Sequence, residues 1–507
     1  MMATVLNGLL AVWKFFANNI LTQPAYFIGL MVIVGYMLLK KPWYEVLAGF
    51  LKATVGYMIL LVGSGGLVSN FRPVLVGLKQ RFNLSAMVID PYFGQNAVQA
   101  GMDDPHAPSF ILGKNFSQVM ILLLFAFIFN IVLVALKKYT KCRSIFTTGH
   151  VQIQQAATAF WLIAFCFPYL GNNWLFIIMC IVLGLYWAVG TNLCVGLTQD
   201  LTDGAGFSVA HQQMFGIAIF SKLAEKMNAH SEKKSKKIED IKLPGFLSIF
   251  NENLVATSIL MTLFFGVILL VLGKDFLVTN KFLKADQNFF FYILTTCLNF
   301  AVYLTILQLG VRTFVTELTN SFQGISTKLL HGAVPGVDCA VTYGFGSPNA
   351  VTIGFLFGAL GQFLAIGLLL LLKSPVIVVA GFVPLFFDNA TIGVFCNNKG
   401  GLRATCIFPF ISGLCQVFGS AIIAGWVGMA SYGGYLGMWD WAVVWPVFTT
   451  LMKYLSYAGL AIIVIALVAI PQIQYRMNKD TYFLETEDYE KCKAIRADKA
   501  AKNKMVS

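Results

Sequence analysis

The stretch Thr147-Thr148-Gly149-His150-Val151-Gln152-Ile153-Gln154-Gln155-Ala156-Ala157 sets one imidazole and three amides in a chain otherwise apolar enough to lie in a bilayer. Hydrocarbon offers such groups no partner, so they persist at membrane depth only where they line a cavity or a pathway. Working outward, Phe207-Ser208-Val209-Ala210-His211-Gln212-Gln213 repeats the histidine-then-glutamine chemistry, and Gly336-Val337-Asp338-Cys339 supplies a carboxylate. These three segments are expected to converge on one substrate site near the bilayer midplane.

The composition fixes the class around that stretch. Of 507 residues 58% are hydrophobic and 12% charged, and the mean hydropathy is +0.74, which leaves too little polar surface to cover a water-soluble body. Continuous apolar runs of spanning length lie at Phe116–Leu136, Trp174–Val195, Val255–Leu272, Phe289–Val311, Ala350–Leu372 and Trp441–Ile470. Runs of this kind read as an all-α polytopic membrane protein, and their lack of alternation argues against a β-barrel. The net charge of +13 comes from clusters beside these runs: Lys137, Lys138, Lys141 and Arg143, seven lysines between Lys222 and Lys242, and eight Lys/Arg over Arg476–Lys504. That pattern is the positive-inside rule and places all three clusters on the cytoplasmic side. Nucleic-acid binding is excluded by the absence of aromatic interleaving and of a soluble basic fold. The ten cysteines are scattered without a CxxC pair or metal-ligand spacing, and read as small buried apolar residues. Met1–Asn19, with one lysine in an amphipathic pattern, reads as an interfacial helix or a helix start rather than a cleaved signal.

Along the chain, a first span over Ala25–Leu39 ends at Lys40-Lys41, Trp43–Leu51 reads as a short surface helix, and Ala53–Val68 forms a second span. Gly63-Ser64-Gly65-Gly66 near its end allows close backbone approach, for packing or for a ligand. Asn83–Gly101 is broken by Asp90-Pro91-Tyr92-Phe93-Gly94 and is expected to dip into the protein without a regular helix. Met102–Pro108 reads as an outer loop in which His106 is solvated, and His331 beside Lys328 reads as interfacial. The lysine-rich loop 222–242 reads as solvated. Spans at Ile407–Ala430 and Trp441–Ile470 close a membrane unit over residues 1–475, followed by a charged tail, 476–507, too short for a domain of ordinary size.

The second half repeats the first in outline. Phe71 leads to Asp90 and Asn96-Ala97-Val98, and Phe314 leads through Glu317 to Asp338 and Asn349-Ala350-Val351. Each Asn-Ala-Val precedes a long apolar run that ends in lysine, and each lysine precedes a Gly-led polar patch, Gly149…Gln154-Gln155-Ala156-Ala157-Thr158 against Gly381…Asp388-Asn389-Ala390-Thr391. Many transporter folds are built from such internal repeats, with the site at the repeat interface.

The polar set itself limits the ligand. His150, Gln154, Gln155, His211, Gln212, Asp338 and Asp388-Asn389 offer donors and acceptors, with Asp338 able to take a proton from a hydroxyl. There is no arginine and no aromatic cage among them, so the set suits a small, hydroxyl-rich, neutral or singly anionic molecule. Gln155 and Gln213 are equally well read as helix-to-helix bonds. His150, His211 and Asp338 are far apart in sequence and carry no zinc spacing or second-shell signature, so neither a metal nor another cofactor is expected.

At Gly149-His150…Gln154-Gln155, Thr202-Asp203-Gly204…Gly206-Phe207-Ser208…His211-Gln212-Gln213 and Phe386-Phe387-Asp388-Asn389-Ala390-Thr391-Ile392-Gly393-Val394-Phe395, the chain resembles the ascorbate-specific enzyme IIC permease of the bacterial phosphotransferase system. The likeness runs from about Ala25 to Ile470 and includes Gly63-Ser64-Gly65, Leu243-Pro244-Gly245 and Ala350-Val351. It implies a homodimer in the bacterial cytoplasmic (inner) membrane, with roughly eleven spanning helices per subunit plus re-entrant hairpins. An inverted-repeat core domain and a V-motif dimerisation domain would be interleaved in sequence. The resemblance places L-ascorbate on Pro91-Tyr92, His150–Gln154 with Gln155, His211-Gln212 and Asp338, with the backbone of Ser64 and Phe387-Asp388 close by. It also implies inward transport by movement of the core against the dimer scaffold, then phosphorylation of the sugar by a separate cytoplasmic enzyme IIB that enzyme IIA recharges. The chain's own status as an enzyme is left open. Aspartate at 388, where a serine-like residue is expected, and a long Val98–Lys114 loop leave a related sugar acid or a polyol open as substrate. A different class, an ion-coupled secondary transporter using Asp338 or Asp388, is the alternative.

Overall fold

The computed structural model describes residues 24–82, 86–229, 235–236, 238, 245, 249, 252–330 and 332–506. The Met1–Asn19 segment, His331 and much of the basic loop 222–242 lie outside them. The fold is helical, and among the described residues six helices are long and apolar enough to cross a membrane: Trp43–Gly63, Phe116–Ala135, Asn172–Thr202, Asn349–Leu371, Pro384–Trp426 and Trp439–Met477. Shorter apolar helices lie at Ile28–Leu38, Met261–Leu272 and Phe289–Tyr303.

The first half runs α1 (Pro24–Leu38), α2 (Trp43–Phe82), β1 (Ala86–Ile89), α3 (Pro91–Asp103), α4 (Phe116–Ala135), β2 (Ser144–Phe146), α5 (Gly149–Cys166), α6 (Asn172–Thr202), β3 (Ser208–Val209) and α7 (Met214–Ala229). After α8 (Asn253–Leu272) the second half runs α9 (Phe289–Leu329), β4 (Val334–Val337), α10 (Pro348–Leu371), β5 (Ile377–Ala380), α11 (Asn389–Trp426), β6 (Gly434–Tyr435) and α12 (Trp439–Met477), and α13 (Tyr489–Val506) ends the chain.

Two expectations about local structure are corrected. The surface helix and second span are one helix, α2, of 40 residues, because nothing between Leu51 and Ala53 interrupts the backbone ladder. Asp90-Pro91-Tyr92 does not break a helix but starts one. Asp90 accepts the Tyr92 N–H at 3.0 Å as N-cap, and proline is favoured in the first turn, where its missing N–H has no partner to lose. Gly94 is required inside α3 because a Cβ there would lie 2.6 Å from the Leu436 nitrogen.

Short β-branched and apolar runs make two buried three-stranded parallel sheets, ordered β5-β1-β6 and β2-β4-β3. Ala86 stands opposite Ile377 and Ile89 opposite Tyr435, while Ser144 stands opposite Val334 and Val337 opposite Val209. Each central strand comes from one half of the chain and both its neighbours from the other. Strands β1 and β5, with burial on nearly every residue, read as continuous apolar runs for that reason.

The helices pack in two groups about the sheets. In one, α1, α2, α8 and α9 pack on one another, and Glu317 of α9 takes the Tyr36 hydroxyl from α1 and Lys52 from α2 at 3.3 Å. In the other, α4, α5 and α6 pack together and α10 lies on α11, which also meets α7 and α12. Gln362 of α10 and Gln416 of α11 bond at 2.5 Å, polar glue of the kind that joins helices in an apolar medium. Helix α11 turns sharply at Gly401, whose φ of 66° is open to glycine and strained for other residues.

The charged tail is built into the second group. Arg143, just before β2, is buried and donates to the Tyr482 carbonyl and to Glu485 (2.6 Å). Arg496 of α13 reaches the same Glu485 and, at 2.8 Å, Asp200 at the end of α6.

Candidate functional site

Parallel strands deliver the residues that follow them to one edge of their sheet. In the sheet β2-β4-β3 those residues are His150, the second residue of α5 after β2, Asp338 directly after β4, and His211 two residues after β3. Separation of up to 188 residues in sequence (His150 to Asp338) thus closes to contact. His150 Nε2 lies 3.3 Å and His211 Nε2 4.0 Å from the same oxygen, Asp338 Oδ2. Asp338 Oδ1 is held at 2.9 Å by the Ala340 N–H at the start of the 3-10 turn Cys339–Gly344, so the backbone aims the second oxygen at the two rings. The rings are buried and meet edge to face, 6.4 Å between centroids. Phe314 of α9 packs its edge on His150 at 5.9 Å and on Tyr57 of α2 at 5.7 Å, bringing the first helix group to the site.

The amides around this centre divide by task. Gln154 Oε1 accepts from Gln212 Nε2 at 2.6 Å and Gln154 also bonds the Tyr92 side chain. Gln212 Oε1 is buried with no partner among the described residues. Gln155 faces away, donating to the His211 carbonyl at 3.1 Å and accepting the Trp187 indole N–H at 2.6 Å. Gln213 fixes the His211 ring. Its Oε1 takes the Gln212 N–H at 2.9 Å and its Nε2 donates to the Phe387 carbonyl at 3.3 Å, so its amide orientation is set. His211 Nδ1, 2.7 Å from that Oε1, must then carry the proton and donate. In the neutral ring, Nε2 turns a lone pair toward Asp338.

Of the residues singled out in the sequence, Tyr92, His150, Gln154, His211, Gln212 and Asp338 come together. Pro91 is buried as the first residue of α3, one position from Tyr92. Ser64 lies within α2, and its side chain is outside the described residues. Phe387 takes part through its carbonyl, which accepts from Gln213, from the Tyr343 hydroxyl (3.1 Å) and from Thr391 (2.5 Å). The Asp388 carboxylate points elsewhere: its Oδ2 accepts from Gln416 and from the Trp439 N–H at the start of α12 (2.7 Å). Tyr57, which bonds Gln95, carried no signal in the sequence, and Phe314, Tyr343 and Thr391 stood only in the repeat and motif stretches without a site role. Gln213 stood in the quoted motif but was not separated from a helix-to-helix amide. A cavity of about 180 Å³ between Lys114, Gln118, Phe160 and Asn172 lies apart from these residues.

Comparison with known proteins settles the class of this assembly. The model of the family described as "EIIC-GAT: PTS system sugar-specific permease component" matches residues 19–443. The chain belongs to that family. The chain is 34% identical over 439 residues to the "Ascorbate-specific PTS system EIIC component" of Mycoplasma pneumoniae, a match that covers 80% of the chain and 65% of that protein. The chain thus spans just under two thirds of its relative's length, and its polar centre lies within the matched family region, among helices long and apolar enough to cross a membrane.

Proposed function

We propose that this permease binds L-ascorbate at Asp338, His150 and His211 and carries it inward, coupled to phosphorylation by a separate enzyme IIB. The observation that carries the reading is the convergence of two imidazoles on one carboxylate oxygen, ringed by Tyr92, Gln154 and Gln212. A carboxylate and the His211 Nε2 lone pair accept from sugar hydroxyls, the His150 ring can donate to the anionic oxygen, and amides serve either role. Pro91, the Phe387 carbonyl and, by the resemblance, the Ser64 backbone complete the lining, while Gln155 positions His211 and Asp388 anchors α12. The name of the Mycoplasma relative supports ascorbate in particular.

The crossed sheets, each with its central strand from the opposite half, support an inverted-repeat core, and the α1-α2-α8-α9 group is the natural candidate for the dimer scaffold. Movement of that core against the scaffold would expose the site to each side in turn, in a homodimer with the tail toward the cytoplasm. Asp338 is the candidate base for the sugar hydroxyl that receives the phosphoryl group. Calorimetry on purified protein should show ascorbate bound in preference to pentitols. Vesicles should accumulate it only with phosphorylated enzyme IIB. Accumulation driven by a proton gradient alone would replace this reading with ion coupling, and preference for a pentitol would replace the substrate.

A further inference from the structure

The His150–His211–Asp338 centre has a geometry that its sugar chemistry does not require. The three ligand atoms lie within 4.8 Å of one another, with edges of 3.3 and 4.0 Å from Asp338 Oδ2 to the two Nε2 atoms. A tetrahedral zinc ion, about 2.0–2.1 Å from nitrogen and oxygen ligands, holds them roughly 3.4 Å apart. One edge is already at that length, and the others close by about 1.4 Å at most, within reach of small rotations of the two rings.

The hydrogen bonds supply a second, independent indication. Gln213 compels His211 to carry its proton on Nδ1, 2.7 Å from the amide oxygen. The neutral ring therefore presents the Nε2 lone pair to a carboxylate, an arrangement that is repulsive until a positive group sits between them. That is also the arrangement found behind metal-binding histidines, where the remote N–H donates to an oxygen and fixes the tautomer. His150 lacks such a partner: its Nδ1 is buried without one among the described residues. A site with one braced and one unbraced imidazole is suited to an exchangeable ion rather than a structural one.

We propose that this centre binds a first-row divalent cation, with Zn²⁺ as the probe, through His150 Nε2, His211 Nε2 and one Asp338 oxygen. The fourth position is left to water. Because those atoms are also the ones assigned to the sugar, the ion and ascorbate exclude each other, and micromolar zinc acts as a competitive inhibitor of binding. The inhibition rests on the proposed substrate site; the ion binding does not.

The test is zinc titration by calorimetry on the full chain in detergent and a non-chelating buffer. The background carries His106→Ala, His230→Ala and His331→Ala, so that His150 and His211 are the remaining histidines of the five. One ion per chain is expected, with affinity reduced about tenfold or more by His211→Ala or Asp338→Asn, as expected for loss of one ligand. Gln213→Leu, which leaves all three ligands in place, should weaken zinc by a smaller factor. Size-exclusion profile and thermal unfolding identify any variant that fails to fold, and Gln213→Leu keeps the test open if a ligand variant does. Absence of stoichiometric binding, or affinity unchanged in both ligand variants, overturns the site. Zinc bound with ascorbate affinity unaltered overturns the competition. Zinc bound in a protein that never binds ascorbate leaves the ion site standing and removes the sugar reading instead.

Discussion

Asp90 and Asp338 are the same device used twice. Each follows the central strand of a three-stranded parallel sheet and caps the next turn with Oδ1, taking the Tyr92 N–H at 3.0 Å in one case and the Ala340 N–H at 2.9 Å in the other. They part at Oδ2. For Asp90 that oxygen accepts the Val383 N–H at 3.3 Å, and Gly381 packs so closely that an added Cβ would sit 2.8 Å from it. For Asp338 it faces the two imidazoles and no backbone N–H among the described residues, and its side chain keeps 16% of its surface exposed, against 3% for the whole of Asp90. One sheet has its carboxylate closed by backbone, and the other has it left to side chains that a ligand can recruit. Two sheets of the same strand count and direction thus hold one carboxylate rigidly and leave the other accessible to side chains.

If that contrast is right, the two aspartates fail differently. Asp90→Ala leaves two buried backbone N–H groups without acceptors and should cost about 3 kcal/mol of stability, at 1–3 kcal/mol for each orphaned group. The measurement is thermal unfolding in detergent, with loss of monodisperse protein as the extreme. An Asp90→Ala protein as stable as the parent would mean that the first sheet does not depend on its cap. Asp338→Asn keeps the cap acceptor and should leave the unfolding temperature near that of the parent. Its ascorbate affinity should fall about a hundredfold, the 1.5–3 kcal/mol scale of bonds to a charged group. Equal loss of stability from both substitutions would erase the distinction.

The sequence showed the open member of this pair and hid the closed one. His150, His211 and Asp338 were legible because hydrocarbon makes a polar side chain conspicuous, and because few such residues compete for attention. The run of spans was legible too: Phe116–Leu136 and Ala350–Leu372 match helices Phe116–Ala135 and Asn349–Leu371 closely. Asp90 was seen only as part of a break. Its role depends on Val383, 293 residues away, and on strands of two to four residues that have no periodicity to detect. Gln155 and Asp388 stood with the polar set by residue type and by resemblance; their side chains bond to the His211 carbonyl and Trp187 and to Gln416 and Trp439, because orientation within a turn decides which side of a helix an amide or acid serves. The tail read as charge alone because its partners, Arg143 and Asp200, lie in distant segments.

Gln154 and Gln155 repeat the aspartate contrast on adjacent residues. Gln154→Ala removes a partner of Gln212 and Tyr92 in the open centre and should lower ascorbate affinity about tenfold, with stability little changed. Gln155→Ala orphans the Trp187 N–H and the His211 carbonyl. It should lower the unfolding temperature by an amount matching about 1–2 kcal/mol while affinity falls less than in Gln154→Ala. The reverse ranking would place Gln155, not Gln154, against the sugar.

The smallest expected effect concerns what holds the open sheet from outside. Arg143 enters β2 with its guanidinium buried against Tyr482 and Glu485 of the tail, and Arg496 ties α13 to the same Glu485 and to Asp200. No such tie reaches β1 among the described residues, so the open sheet alone is braced by the tail. Arg496 is about a third exposed, and its loss should cost about 1 kcal/mol or less, as for pairs in partial contact with water. The sensitive readout is Cys492, fully buried in α13, whose thiol is pushed up from its ordinary pKa by burial and so reacts slowly near neutral pH. Arg496→Ala should raise alkylation of Cys492 several-fold, followed by mass spectrometry of its peptide, while ascorbate affinity stays at the parent value because Arg143 and Glu485 remain paired. A fall in affinity alongside faster alkylation would show that the open site depends on the docked tail, and that its geometry is set by three segments of the chain and a brace rather than by the sheet alone.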